Sequence, residues 1–533
     1  MRLFTATSTA DNWKANLTMF ISERTTQNEH FYVNISMKRL LLILIAPIVC
    51  IAVCLGQNAP KLHNEAIESS KRYKKGNIYQ KDLLLYVDML GETHPYYADE
   101  ANRAKLEKQA KKMYRECAKL TIETSYFKKY LQRFASSLHD GHTTIYYWGD
   151  LDNLNKIFPI GLDIDGDNPY IINITSEEHR DLLGKEVVEI NGYPVKQVLE
   201  WARPLVSADN EVNFENLVTQ YLMIAEFYPK ILFGNHRLYL TLADGSDVMI
   251  NPIDKSELKV AQLQRNTANR VTAQRGVLFD YTIFEEEGIC YMQFNQFADR
   301  VTHPNYPQLA RFDDTMRDMM AEMEAKGIET LVVDLQYNGG GNSMLGTVLL
   351  SWLQPYKETK NIDVTLRYSD LLCQHYPYYQ NFTVEGKPLE RGKTYDLWGF
   401  DHSKDYEVNY EKQDSSQHII NLDPERVFKG NVVFIQGKDS FSSATLLLTL
   451  AQDNGIGIII GERAGGKPCH YGDILYCTLP NTNTLVTVSH KYFIRPNRAL
   501  EHAEYIEPDV VLDLDNPDHD MAWEWIVENY GKK

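Results

Sequence analysis

The chain of 533 residues lacks the patterns that hold a metal: its 15 histidines are scattered, with no His-Glu-x-x-His and no Cys-x-x-Cys. No metal and no cofactor is therefore expected. Basic charge is also short, with 55 Lys and Arg against 72 Asp and Glu and a net charge of −17. Phosphate binding needs a basic surface, so a nucleic-acid partner is not expected. Cysteine is scarce. Of the 7, Cys50 and Cys54 lie in an apolar run near the start, and Cys117, Cys290, Cys373, Cys469 and Cys477 remain, an odd number that excludes a disulfide framework. Cys469 and Cys477 stay open between a pair across a hairpin and two buried thiols. A long hydrophobic run is missing too: Leu40 to Leu55 falls short of the ~20 residues of a membrane span, so no stable span is expected. With Met37-Lys38-Arg39 before it and Gly56-Gln57-Asn58 after it, this run has the layout of a signal peptide over 37–56. Export to a periplasm, cell envelope or medium follows, with Met37 as the expected start. Bulky Val53 disfavours a lipid anchor on Cys54.

What is present is globular: 44% hydrophobic, 24% charged and 11% aromatic residues. The length exceeds one ordinary core, so two or three domains are expected. Apolar positions recur at three and four from Leu83 to Phe134, predicting an N-terminal helical domain over 78–145. Short apolar stretches and turns then predict a β-rich module over 156–255, in which Leu182 to Val195 reads as strand, Asn-Gly turn and helix start. From 275 to 515 the pattern is α/β. Strands are expected at Cys290–Phe294, Thr330–Leu335, Val432–Gln436 and Ile456–Gly461, and helices near 310–326, 343–353 and 442–452. Between Gln354 and Gly430 no strong period appears, as in an irregular insertion that serves as a lid or binding loop.

Three segments carry chemistry. In the first, the strand Val432–Gln436 runs through a polar turn into Ser442-Ser443-Ala444 and an apolar helix. A hydroxyl there sits beside unpaired N–H groups and the positive end of a helix dipole, where an alkoxide or oxyanion is stabilised. A Ser pair alone more often only caps a helix. The second, Asp334 to Asn342, has three successive glycines where a strand-to-helix turn needs one. The third, Gly461 to Pro468, is another glycine turn after a strand and contains Lys467.

Together these segments resemble the tail-specific, or C-terminal processing, serine peptidases. The matching motifs are Asp334 to Gly341, Ser440-Phe441-Ser442-Ser443-Ala444-Thr445 and Ile506-Glu507-Pro508-Asp509. The resemblance implies a crotonase/ClpP-like spiral ββα core, with Ser442 as nucleophile and an oxyanion hole from the N–H groups of Gly340 and Ser443. The stretch Leu182 to Val195 resembles a PDZ domain, which captures peptide ends by strand addition. The implied substrate is a peptide or unfolded protein. Two bases remain open. In one branch a Lys after the second glycine turn serves, and Lys467 stands there. In a branch like the tricorn protease core a His serves, and Asp140-Gly141-His142 resembles its motif. Imidazole is neutral near pH 7 and Lys is not, which favours His142. Gly141 stands where that branch has Ser, so the group that orients the imidazole is unassigned, with Glu501 and Glu504 as candidates. His139 reads as structural. A non-catalytic binding protein on this scaffold, similar to interphotoreceptor retinoid-binding protein, is the main rival. A crotonase-like acyl-CoA enzyme is disfavoured by the signal and the PDZ-like stretch.

Overall fold

The computed structural model describes residues 59–119, 124–146, 156–165, 168–174, 177–223, 237–254, 270–272, 276–384, 386–396, 416–516 and 518–532. The expected signal segment at 37–56, with Cys50 and Cys54, lies outside them.

Helices α1 (Ile78–Thr93), α2 (Glu100–Cys117) and α3 (Thr124–Ser136) occupy the N-terminal region. Asn77 starts α1 with a capping box: its side chain accepts from the N–H of Gln80, whose side chain accepts from the N–H of Asn77. Leu83, Leu90, Leu131 and Phe134 share one core with Leu366, Leu475, Val486 and Val488 from the C-terminal half. The helices thus rest on strands from the far end of the chain.

The middle region carries β1 (Ile160–Asp165), β2 (Asn168–Ile174), β3 (Val187–Ile190), β4 (Tyr193–Pro194), helices α4 (Val195–Ala202) and α5 (Glu211–Leu222), then β5 (Leu238–Leu242) and β6 (Asp247–Ile250). Asn191 and Gly192, with φ of 52° and 76°, make the tight turn that folds β4 back on β3. The sheet runs β4-β3-β5-β6, with α4 against its core.

The C-terminal half builds two sheets from β7 (Phe279–Phe284), β8 (Ile289–Phe294), β9 (Thr330–Asp334), β10 (Asp363–Arg367), β11 (Thr394–Asp396), β12 (Asn431–Gln436), β13 (Ile458–Gly461), β14 (His470–Thr478), β15 (Leu485–Ile494) and β16 (Val510–Val511). The larger sheet runs β16-β13-β12-β9-β8-β7, parallel except between β7 and β8. Its side chains alternate between two cores. Cys290, Met292 and Phe294 face α6 (Phe312–Lys326), α7 (Met344–Leu353) and α8 (Ser443–Asn454), while Ile289 and Tyr291 face α9 (Met521–Tyr530). The second sheet, antiparallel, runs β11-β10-β15-β14.

One expectation changes here, and one open choice is decided. Residues 354–430 are not a structureless insertion: β10 pairs with β15 and β11 with β10, extending the second sheet, although 397–415 lies outside the described residues. Strands of three and five residues are too short to show a period. Cys469 and Cys477 do not pair. All five described cysteines are free and buried; Cys477 lies opposite Val486, and the sulfur of Cys469 accepts from the N–H of Arg495. Among the described residues no helix is long and apolar enough to cross a membrane.

Candidate active site

The carboxyl ends of the parallel strands β9 and β12 open side by side, and the three chemistry-bearing segments meet there. Ser440 joins them: its Oγ donates to Leu335 O at 2.8 Å, and its carbonyl accepts from the N–H of Gly466 at 3.1 Å. The N–H of Phe441 donates to Asn338 O, and Ser443 Oγ donates to Gly341 O at 2.6 Å. Ser442 thereby sits between a clamped turn and the first turn of α8, at φ 55° and ψ −120°. Positive φ at a non-glycine residue costs free energy, and the surrounding bonds hold it.

His142 Nε2 lies 2.9 Å from Ser442 Oγ, between residues 300 positions apart. The imidazole is sandwiched. Phe441 stacks on one side at 4.7 Å and His470 on the other at 5.7 Å, tilted by only 9°. Its turn is pinned by β15: Thr487 Oγ1 donates to His142 O, and Ser489 N–H donates to Thr143 Oγ1.

Asp140, fully buried in the same turn, faces the other ring nitrogen, with Oδ1 3.4 Å from His142 Nδ1 in a contact that lacks hydrogen-bond geometry. Its Oδ2 accepts from Thr143 Oγ1 at 2.6 Å, Ser489 Oγ at 2.7 Å and His94 Nε2 at 3.0 Å. His94 Nδ1 accepts from the N–H of Tyr96, so the proton is on Nε2. Burial opposes the charge of Asp140, but the His142 and His94 rings outweigh it and hold the carboxyl well below its usual range. For His142 burial again works against charge; Asp140 more than offsets it, so the imidazole is held above its usual value. His470 is pushed down to about 3 by burial, with His142 adding to it. Its Nδ1 donates to Lys467 O at 2.8 Å, leaving it a neutral stacking partner.

Lys467 is nearby in the chain path, but its amine pairs with Glu504 at 2.7 Å. Glu501 pairs with Arg498. The carboxylate at His142 Nδ1 is Asp140, which sequence reading overlooked although it stands two residues before the histidine. Gly141 is explained by contact: a Cβ there would lie 2.8 Å from Phe441 Cζ and 2.9 Å from Asn213 Oδ1, leaving no room for Ser. The N–H of Gly141 instead donates to Asp209 Oδ1 at 2.7 Å.

Of the two expected oxyanion donors, one is already bonded within the turn. Gly340, at φ 98°, abuts Ser442, and a Cβ there would lie 2.7 Å from Ser442 Cβ. Its N–H, however, donates to Asn338 Oδ1 at 2.8 Å, because the Asn side chain turns back two residues along the chain. Ser443, as the first residue of α8, has no intrahelical carbonyl for its N–H. Asp140, His142 and Asp209 also form a cluster whose ligand atoms lie within 4.8 Å of one another. Asp140 already accepts from internal donors at both oxygens.

Residues 288–512 match the model of peptidase family S41, a span that includes Gly340, Ser442 and Lys467 but not Asp140 or His142. No curated protein sequence gives a match. Among solved structures, mature CPAF is similar at 16% identity with a TM-score of 0.57, covering 86% of this chain and 96% of CPAF. Its complex with lactacystin gives 15%, 0.55, 83% and 94% for the same measures. The photosystem II D1 C-terminal processing protease also matches, at 12% identity with a TM-score of 0.39, covering 82% of this chain and 93% of its own. Residues 288–512 are thus similar to peptidase family S41, and the protein is a serine-type peptidase.

Proposed function

We propose that the protein is an exported peptidase in which Ser442 attacks a peptide carbonyl and His142 takes and returns the proton. The observation that carries this reading is the 2.9 Å contact between Ser442 Oγ and His142 Nε2. For Nε2 to accept the serine proton, the ring must hold its own proton on Nδ1, toward Asp140. The imidazolium formed on attack then lies between the serine and a buried carboxylate that cannot easily protonate. Asp140 acts as the orienting group, and its three other donors fix its position. The N–H of Ser443 is one oxyanion donor; Gly340 becomes a second only if its bond to Asn338 is released.

The finer architecture belongs to the same reading. The β-rich middle region with its Asn-Gly turn acts as a PDZ-like module beside a spiral ββα core, and the substrate is an unfolded or C-terminal peptide segment. Export rests on Lys38-Arg39 and the run from Leu40 to Leu55. A fluorophosphonate probe tests the nucleophile. It should label the protein, and Ser442→Ala should abolish labelling and lower turnover by about six orders of magnitude. Labelling that persists in Ser442→Ala and vanishes in Ser443→Ala would move the nucleophile by one residue.

A further inference from the structure

Asp209 precedes α5 and is buried, yet among the described residues no Lys or Arg side chain is bonded to it. Its Oδ1 accepts from the N–H of Gly141 at 2.7 Å, and Oδ2 faces the N–H of Lys467 at 3.4 Å. One carboxylate therefore spans the turn that carries His142 and the loop after β13. The same segment holds that loop by a second route, since Asn210 Nδ2 donates to the carbonyls of Ala464 and Glu504. The donors on Asp209 are backbone amides: the one side-chain oxygen of an Asn would keep the 2.7 Å bond from Gly141 and give up only the longer, 3.4 Å contact from Lys467. Folding thus has no evident need for a full negative charge here. A carboxylate within 4.8 Å of both Asp140 and His142 adds repulsion with the first and attraction to the second.

We infer that Asp209 is a second positioning carboxylate, which holds the His142 turn and supports the imidazolium formed when Ser442 gives up its proton. The inference rests on His142 being the base. Its electrostatics agree: burial pushes the Asp209 carboxyl up to about 6, with His142 drawing it down and Asp140 raising it. The other groups that act on His142 are Asp140 from its own turn, Asp473 from β14 and the stacked His470. Lys467 turns its amine to Glu504. An acid raised from its ordinary value binds its proton more tightly in the folded state. The stability it contributes is present below about pH 4 and is lost as pH rises to about 6. At neutral pH the charged Asp209 therefore weakens the fold while serving the reaction, as functional-site residues often do.

The test is Asp209→Asn, measured for turnover, melting temperature and the titration of the His142 imidazole by NMR in a Ser442→Ala background. Expected are a kcat lowered about tenfold with KM unchanged, and an acid limb and imidazole titration shifted about one unit to lower pH, the tenfold step that one pKa unit represents. Melting at pH 7 should be equal or higher. Unchanged kcat and imidazole titration would overturn the inference, as would loss of folding in Asp209→Asn, which would make the charge a requirement of the fold. His142→Ala separates the two claims: full turnover there sinks the base assignment itself, whereas its loss beside a wild-type Asp209→Asn sinks only the role of Asp209.

Discussion

Gly141 shows how tightly the surroundings of His142 are specified at the level of single atoms. Its missing Cβ leaves room for the edge of Phe441, whose face is stacked on the His142 ring, and its N–H is the donor to Asp209. A side chain at this position must push Phe441 or Asn213 aside, and Phe441 cannot yield without disturbing the imidazole. Gly141→Ser should therefore destabilise the protein by about 1–3 kcal/mol, the usual cost of overpacking, and lower kcat as well. Thermal melting and steady-state turnover check this together. A variant with wild-type melting and turnover would mean that Phe441 does not hold the ring. The same reasoning separates Asp140 from Asp209. Asp140 has four donors around it and is held well below the usual carboxylate range, whereas Asp209 has two and burial pushes its carboxyl up to about 6.

At the scale of elements, buried strands and the helices after them were legible because their physics is local. The continuous apolar runs at Thr330 and Val432 form β9 and β12 to within a residue, and the small residues after Ser442 do open a helix. The Asn191-Gly192 turn was equally plain, since few other pairs accept two positive φ values. The hairpin β14–β15 was not anticipated, although it organises the site. Its strands mix buried Leu475, Cys477, Val486 and Val488 with Ser489, His490 and Tyr471, because it serves a hydrophobic core with part of its length and polar bonding with the rest. Ser489 and Thr487 recognise the His142 turn from there, and no spacing in the chain links them to it. Asp209 was invisible for a similar reason. Before Asn210, which caps α5, it reads as an ordinary helix-start residue. The glycine turns, Ser442 and the Asp140-Gly141-His142 turn carry signals in the sequence; the contact of Asp209 with that turn, 68 residues away, carries none.

Over the whole molecule, the site is assembled from distant parts of the chain. The turn after α3 brings Asp140 and His142, the segment before α5 brings Asp209, and the family S41 region brings Ser442. The helices before the His142 turn share their core with β14 and β15, so that turn is held by packing as well as by its bonds to Thr487 and Ser489. Before this assembly stands the 37–56 segment. If it directs export, the mature protein should begin soon after Gly56 in an envelope or secreted fraction, as N-terminal sequencing would show. Intact chain recovered from cytoplasm would contradict that.

The pairing of Ser442 with His142 rather than Lys467 is tested most directly by kcat/KM against pH for the wild type, His142→Ala and Lys467→Ala. Imidazole acts as a base only when neutral, and Asp140 holds His142 above its ordinary value of about 6.5. Wild-type activity should therefore rise with pH through the neutral range, with the limb set by His142. His142→Ala should lose nearly as much as Ser442→Ala, while Lys467→Ala keeps most of the turnover and the same limb. Turnover retained in His142→Ala and abolished in Lys467→Ala would contradict the account and make the protein a Ser–Lys peptidase.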